Sequence, residues 1–199
     1  MKYLKMLGFA IAATVLMAVV GASAVSATTL KVNGITQTAA VEIGASLETG
    51  AKLIWKDNAG TTLDECFGST IEGKVTTVTG ASVSGPLSKF SIGLCSHTTT
   101  TLAPGSLIIT QIGSTANGTV FSAGAEITVM STAFGTSALC RTGTGTYIGT
   151  LTGATNGTTN NTKFATVDLN GKISCGIIGT STWTGSYTVT SPEELAVTS

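Results

Sequence analysis

Charge is scarce in this chain of 199 residues: Asp, Glu, Lys and Arg make up 10% of it, and ten basic residues balance ten acidic ones. No basic footprint for nucleic acid exists, so no nucleic-acid partner is expected. Histidine occurs once, at His97, and proline three times. Acid–base or nucleophilic catalysis would have to rest on His97, which stands in the polar run His97-Thr-Thr-Thr-Thr101 with no orienting third group at a recognisable spacing. It reads as a solvated loop residue. Helical periodicity is absent beyond the N-terminal segment, and no second long apolar run follows it.

What the chain does have is threonine, 38 residues, and glycine, 25 residues. Threonine's branched Cβ suits a pleated strand and its hydroxyl wets an outer face without charge, while glycine supplies turns. The N-terminus reads as an export signal. Lys2 and Lys5 precede an apolar stretch from Met6 to Gly21, and Ala22-Ser-Ala24 and Val25-Ser-Ala27 are both small-x-small cleavage sites. An uncleaved anchor is the alternative, and the paired cleavage sites argue against it. The expected organisation is a signal peptide over 1–27, cut after Ala24 or Ala27, and one domain over 28–199, with no stable membrane span after cleavage. Loss of Lys2 and Lys5 leaves eight basic against ten acidic residues, a net charge of −2.

Cys66, Cys95, Cys140 and Cys175 all lie beyond the leader. An even count in an exported chain reads as two disulfides, and four cysteines allow three pairings. The pairing Cys66–Cys95 with Cys140–Cys175 is preferred because it closes one loop in each half. A zinc site is disfavoured, since no C-x2-C spacing occurs and only one histidine is available.

Strand patterns fill the rest. Val41, Ile43, Ala45 and Leu47 alternate with polar residues, as do Leu53 and Trp55, then Phe90, Ile92 and Leu94. Leu107 to Ile112 is a continuous apolar strand, and Ala125 to Met130 and Tyr147 to Leu151 add two more. Thr152 to Thr162 is a polar surface loop. In Lys163 to Thr190, Ala165, Val167 and Leu169 alternate up to Asn170-Gly171, after which Ile173, Cys175 and Ile177 resume. Asn-Gly between two such runs predicts a hairpin. A three-residue Leu169-Asn170-Gly171 loop would set Val167 opposite Ile173, Ala165 opposite Cys175 and Asp168 opposite Lys172. Trp183, Gly185, Tyr187 and Val189 make a third strand. Around Cys66 and Cys95 the large apolar neighbours share a parity that the cysteines do not, which places that disulfide toward the outer face or a strand end. About ten to twelve strands at this spacing predict an all-β, antiparallel β-sandwich with Greek-key connections, immunoglobulin-like or jelly-roll-like.

Chemistry-bearing patterns are few. Carboxylate pairs for glycoside hydrolysis would come from Asp64, Glu65, Glu72, Glu126 or Asp168, all read as scattered surface acids. Gly143-Thr-Gly-Thr146 lacks the lysine and helix start of a phosphate loop, and Asp57-Asn-Ala-Gly60 is a turn and lacks the ligand spacing of a calcium loop. Asn117, Asn156 and Asn160 match the glycosylation pattern. Trp55, Trp183 and Tyr187, with Tyr147, form either a ligand platform or core. No catalytic residue, metal site or cofactor is expected.

The segments Cys66-Phe-Gly-Ser-Thr-Ile-Glu-Gly73, Gly149-Thr-Leu-Thr-Gly153 and Trp183-Thr-Gly-Ser-Tyr-Thr-Val-Thr-Ser-Pro192 resemble a group of uncharacterised secreted actinobacterial proteins rich in Thr and Gly. A more distant likeness, in composition, is to secreted proteins labelled activators of alkane oxidation. The resemblance implies secretion and a β-rich fold and carries no catalytic residues. Members often have further cysteines after the leader and near Gly176 to Ser181, which this chain lacks, so their disulfide pattern does not transfer. The expected role is a secreted, non-enzymatic structural, adhesive or ligand-binding protein, in contact with wall polymer, glycan or copies of itself. A secreted carbohydrate-active enzyme or lectin and a self-assembling surface fibre subunit are the alternatives.

Overall fold

A computed structural model describes residues 27–131, 135–154 and 164–199. The leader to residue 26, most of the loop at 152–162 and the glycosylation matches at Asn156 and Asn160 lie outside the described residues. The strands are β1 (Thr28–Val32), β2 (Ile35–Thr36), β3 (Val41–Leu47), β4 (Leu53–Lys56), β5 (Thr62–Val75), β6 (Thr79–Gly80), β7 (Val83–Cys95) and β8 (Thr99–Ala103). They continue as β9 (Ser106–Gln111), β10 (Gly118–Ala123), β11 (Glu126–Ser131), β12 (Thr136–Arg141), β13 (Thr146–Thr152), β14 (Thr166–Cys175), β15 (Gly179–Ser191) and β16 (Leu195–Thr198).

All pairings are antiparallel, as the alternation predicts, but the sheet is not a sandwich. The β3 and β4 strands lie end to end in one lane. Val41–Ser46 pairs with Thr70–Val75 of β5, and Leu53–Lys56 pairs with Thr62–Cys66 further along the same strand. On its other side that lane meets β15, at Gly44–Leu47 and again at Ile54–Lys56. From the lane the order runs β5, β7, β9, β10, β13, β14, β15 and back to the lane, closing an 8-strand barrel. Its walls follow chain order, up and down, in place of the Greek-key crossings expected. A one-wet-face alternation fits a sandwich and a barrel equally. Closure depends on β15 finding partners on both edges, which no local pattern encodes.

Two excursions leave the ring. The β8, β11 and β12 strands form a flap that joins the ring where Cys140 and Arg141 pair with Cys175 and Ser174. At one end of the barrel, β16, β1 and β2, with β6 on β1, make a small capping sheet. Its turn at Asn33-Gly34 has φ of 51° and 74°, the left-handed pair that the Asn-Gly sequence suits. The Ala154 N–H donates to the Leu195 carbonyl and the Val197 N–H to that of Ala116, tying the cap to the barrel rim. Leu195 to Thr198, which has no helical or strand signal by length, is thus a strand by virtue of β1.

The second Asn-Gly pair is a correction. Asn170-Gly171 sits in the middle of β14, and β14 pairs with β15 from Thr166↔Thr188 to Cys175↔Gly179. Asp168 therefore faces Ser186, whose hydroxyl donates to its Oδ1 at 2.6 Å, and Lys172 faces Thr182. The turn falls later, through a 3-10 turn at Gly176–Ile178, with φ of 39° at Gly176 and 80° at Gly179. Gly171 is a glycine for a different reason. A Cβ there would lie 2.5 Å from both Ile148 Cα and Tyr147 O of β13, so the neighbouring strand crosses where a side chain would be.

On β14 and β15 the parity is clean. Leu169, Ile173 and Cys175 of β14 and Trp183, Tyr187 and Val189 of β15 are buried, whereas Asp168, Asn170, Lys172 and Ser174 are exposed. A polar exterior around an apolar lumen is the reverse of the pattern of a barrel facing lipid. No helix among the described residues is long and apolar enough to cross a membrane. Both preferred disulfides are present, Cys66–Cys95 and Cys140–Cys175, spanning 29 and 35 residues. Loops of this length give about 3–4 kcal/mol each in the chain-entropy account. Bonds of this kind belong to an oxidising compartment.

If Gly171 marks a close crossing and not a turn, the two halves of the Asn-Gly pair respond differently. Gly171→Ala should cost about 2–3 kcal/mol in urea unfolding through overpacking, and Asn170→Thr less than about 1 kcal/mol because its side chain is outward. A large loss at Asn170 would contradict the strand.

Candidate functional site

The alternating strands direct aliphatic side chains into the lumen, and near the capped end they leave a cavity of about 50 Å³. Ile43 and Ala45 of β3, Ile71 of β5 and Leu107 and Ile109 of β9 form one side. Leu151, Val167, Leu169 and Val189 form the other, with Leu195 of the capping strand β16 contributing from the end. The one polar side chain in the lining is Tyr187, which is fully buried. Its O–H donates to Ser69 Oγ at 2.9 Å, and Ser69 donates in turn to the Ser91 carbonyl at 2.9 Å. Burial drives the phenol pKa well above its ordinary value, the Ser69 bond opposing this, so the ring stays neutral.

The aromatic trio read as a platform or core lies inside. Trp55 and Trp183, at 0% and 4% exposure, stack at 4.9 Å between ring centroids, and Phe90 stacks on Trp183 at 5.4 Å. Trp55 and Trp183 are directly opposed across β4 and β15, which brings them together. Neither indole offers a face to solvent. Tyr147 is half-exposed, with its hydroxyl donating to Asn170 Oδ1 at 2.7 Å on the outer wall.

The acids separate into two classes. Glu65, Glu72 and Glu126 pair on the surface with Lys52, Lys89 and Arg141 at 2.7, 2.9 and 3.0 Å, contacts that add little stability. Asp64 overturns the surface reading. It is 1% exposed, opposite Trp55, and its carboxylate accepts the Glu65 and His97 N–H groups at 2.8 Å each and the Thr99 hydroxyl at 2.5 Å. The His97 Nδ1 lies 3.7 Å from the same carboxylate. His97 is therefore not merely solvated: its backbone and Thr99 hold the entry to flap strand β8 against the barrel wall. Thr62-Leu-Asp-Glu-Cys66 reads as alternation with Asp64 on one face, and only the placement of the His97 loop shows which face it is.

The neighbouring disulfide is likewise displaced from expectation. Between Cys66 and Ser69 the inward face of β5 changes parity: Cys66 and Ser69 are buried and Phe67 is 53% exposed. Opposite it Leu94 has a left-handed φ of 55° and is 79% exposed. Cys66 thus points inward, and Cys95 is half-buried. Asp64, Cys66 and Cys95 converge closely enough to suggest metal ligands, but both sulfurs are spent in the disulfide. Comparison with family models, curated proteins and solved structures finds no match for the chain.

Truncating Asp64→Ala would strand three donors in a dry site and should cost about 3 kcal/mol or more in denaturant unfolding. Loss within 0.5 kcal/mol would mean the carboxylate does not hold the flap. For Tyr187 the sign is fixed by its raised pKa. Below about pH 10 folded and unfolded chains both carry the proton; above it the unfolded chain sheds it first, so stability falls as pH rises. Tyr187→Phe should lose about 1 kcal/mol at neutral pH and show a shallower alkaline decline, read from thermal melts between pH 8 and 11.

Proposed function

We propose that the chain is an exported, non-enzymatic binding protein that holds a small apolar molecule in the barrel lumen. The observation that carries this reading is the aliphatic cavity, whose single polar liner, Tyr187, already has its partner. An 8-strand barrel is just wide enough to be filled by its own side chains or to keep room for one small ligand. A void of this size costs about 1 kcal/mol at roughly 24 cal/mol per Å³, a cost that an occupant offsets. Dry aliphatic walls select against any ligand group that needs a hydrogen bond. The leader pattern and the paired cysteines support export, and kinship with the secreted Thr- and Gly-rich group is part of the same proposal.

The carbohydrate-active or lectin alternative needs Trp55, Trp183 and a carboxylate in an open cleft. Their enclosure, with Asp64 beside them at 1% exposure, counts against it. The fibre alternative needs free strand edges. Ring closure leaves β2, β6, β8 and β16, of two, two, five and four residues, at the sheet ends among the described residues.

Xenon and benzene titrations followed by NMR test the reading, because dry cavities of modest size take up such probes. Shifts should be confined to methyls of the named lining residues. Ala45→Val, which fills the void, should abolish them while raising stability by about 1 kcal/mol. No shift with the unaltered protein, or unchanged binding by Ala45→Val, would sink the proposal.

A further inference from the structure

Four sulfurs form two disulfides of unequal access. Cys140 and Cys175 are 1% and 0% exposed and Cys66 is 0%, leaving half-buried Cys95 as the most exposed of the four cysteines. The wall opens at that point for a visible reason. Leu94, in its left-handed conformation, turns outward together with Phe67, and a Cβ built on Gly93 meets no atom within 4 Å. A non-glycine residue held at positive φ costs about 1 kcal/mol or more, and such outliers point to sites of function.

The inner sulfur has a partner for the reduced state. Asp64 Oδ2 lies 3.9 Å from Cys66 Sγ, within sulfur hydrogen-bonding reach. In the disulfide that sulfur carries no proton to donate; as a thiol it would donate to the carboxylate. No carboxylate or histidine forms a comparable group with Cys140 and Cys175 among the described residues.

We propose that Cys66–Cys95 is an exchangeable disulfide and Cys95 a site of mixed-disulfide modification by small thiols. A thiolate, formed as the attacking thiol gives up its proton, donates its electron pair to Cys95 Sγ. The Cys66–Cys95 bond breaks, its electron pair passes to Cys66 Sγ, and that sulfur takes up one proton, so that a thiol and a mixed disulfide replace a disulfide and a thiol. A second equivalent of thiol then releases the adduct as an external disulfide and leaves Cys95 reduced. Attack on the outer sulfur is set by access, since exchange goes through the sulfur a thiolate can reach. Because Cys95 runs directly into the His97 loop and β8, opening this bond loosens the β8 end of the flap, which the Asp64 contacts also hold, while the β12 end stays joined through Cys140 and Cys175.

The test is graded treatment of the folded, full-length exported protein with glutathione, followed by acid quench, alkylation and peptide mapping. Cys66–Cys95 should open at least about tenfold faster than Cys140–Cys175, with the glutathione adduct on Cys95. Equal rates, prior opening of Cys140–Cys175, or an adduct on Cys66 would overturn the proposal. Single variants give a second reading. Cys66→Ser should leave a Cys95 thiol that iodoacetamide modifies in the native state, and Cys95→Ser a Cys66 thiol protected until unfolding. Equal modification of the two would count against it.

Discussion

Closure of the sheet through β15 is the constraint on which the other features depend. This one strand is hydrogen-bonded to β14 across ten residue pairs and to the β3/β4 lane on its opposite edge. Backbone groups that would be left as an edge are paired around a ring, and inward-pointing residues are shielded from water by geometry as much as by bulk. A sandwich built from the same strands would press two faces together. The ring instead encloses a lumen, and a lumen can be incompletely filled.

The interior is divided accordingly. Toward the flap, Trp55, Trp183 and Phe90 stack in the core. Toward the cap the liners are aliphatic and shorter, and the space between them and Leu195 remains open. The Tyr187–Ser69–Ser91 chain lies at the cavity wall and anchors a phenol that could not otherwise be dry. Asp64 solves the same problem at the flap by gathering three donors. In both places a buried polar group is satisfied by elements far apart in sequence, and in both the result is a fixed junction between parts of the fold.

Much of the local structure was legible. Alternation at Val41–Leu47, Leu53–Trp55 and Trp183–Val189 marks strands because period 2 is a property of a single extended segment. The Asn33-Gly34 turn was equally readable, being a left-handed pair in a short hairpin. Asn170-Gly171 has the same letters and a different cause, a close crossing of β13, and the difference lies in a strand twenty residues earlier. Alternation carried through Phe67 and Leu94 points both inward, but there two opposed strands change parity together and turn both outward. The Asp64 site was missed for a related reason: an acid in an alternating strand is exposed on one face and buried on the other, and the pattern does not say which.

The sequence by itself determined that the chain is antiparallel and all-β, with a hydroxyl-rich exterior, and it favoured the disulfide pairing that is found. These follow from side-chain shape, period and cysteine spacing, which act within a segment or along one chain contour. The tertiary structure alone decided that the sheet closes, that the tryptophans stack inward, that an apolar cavity remains beneath the cap, and that one carboxylate is buried beside one disulfide. Each of these depends on which strands become neighbours and in what register. That choice is settled by the joint packing of segments distant in the chain, where a shift of one residue exchanges inside for outside.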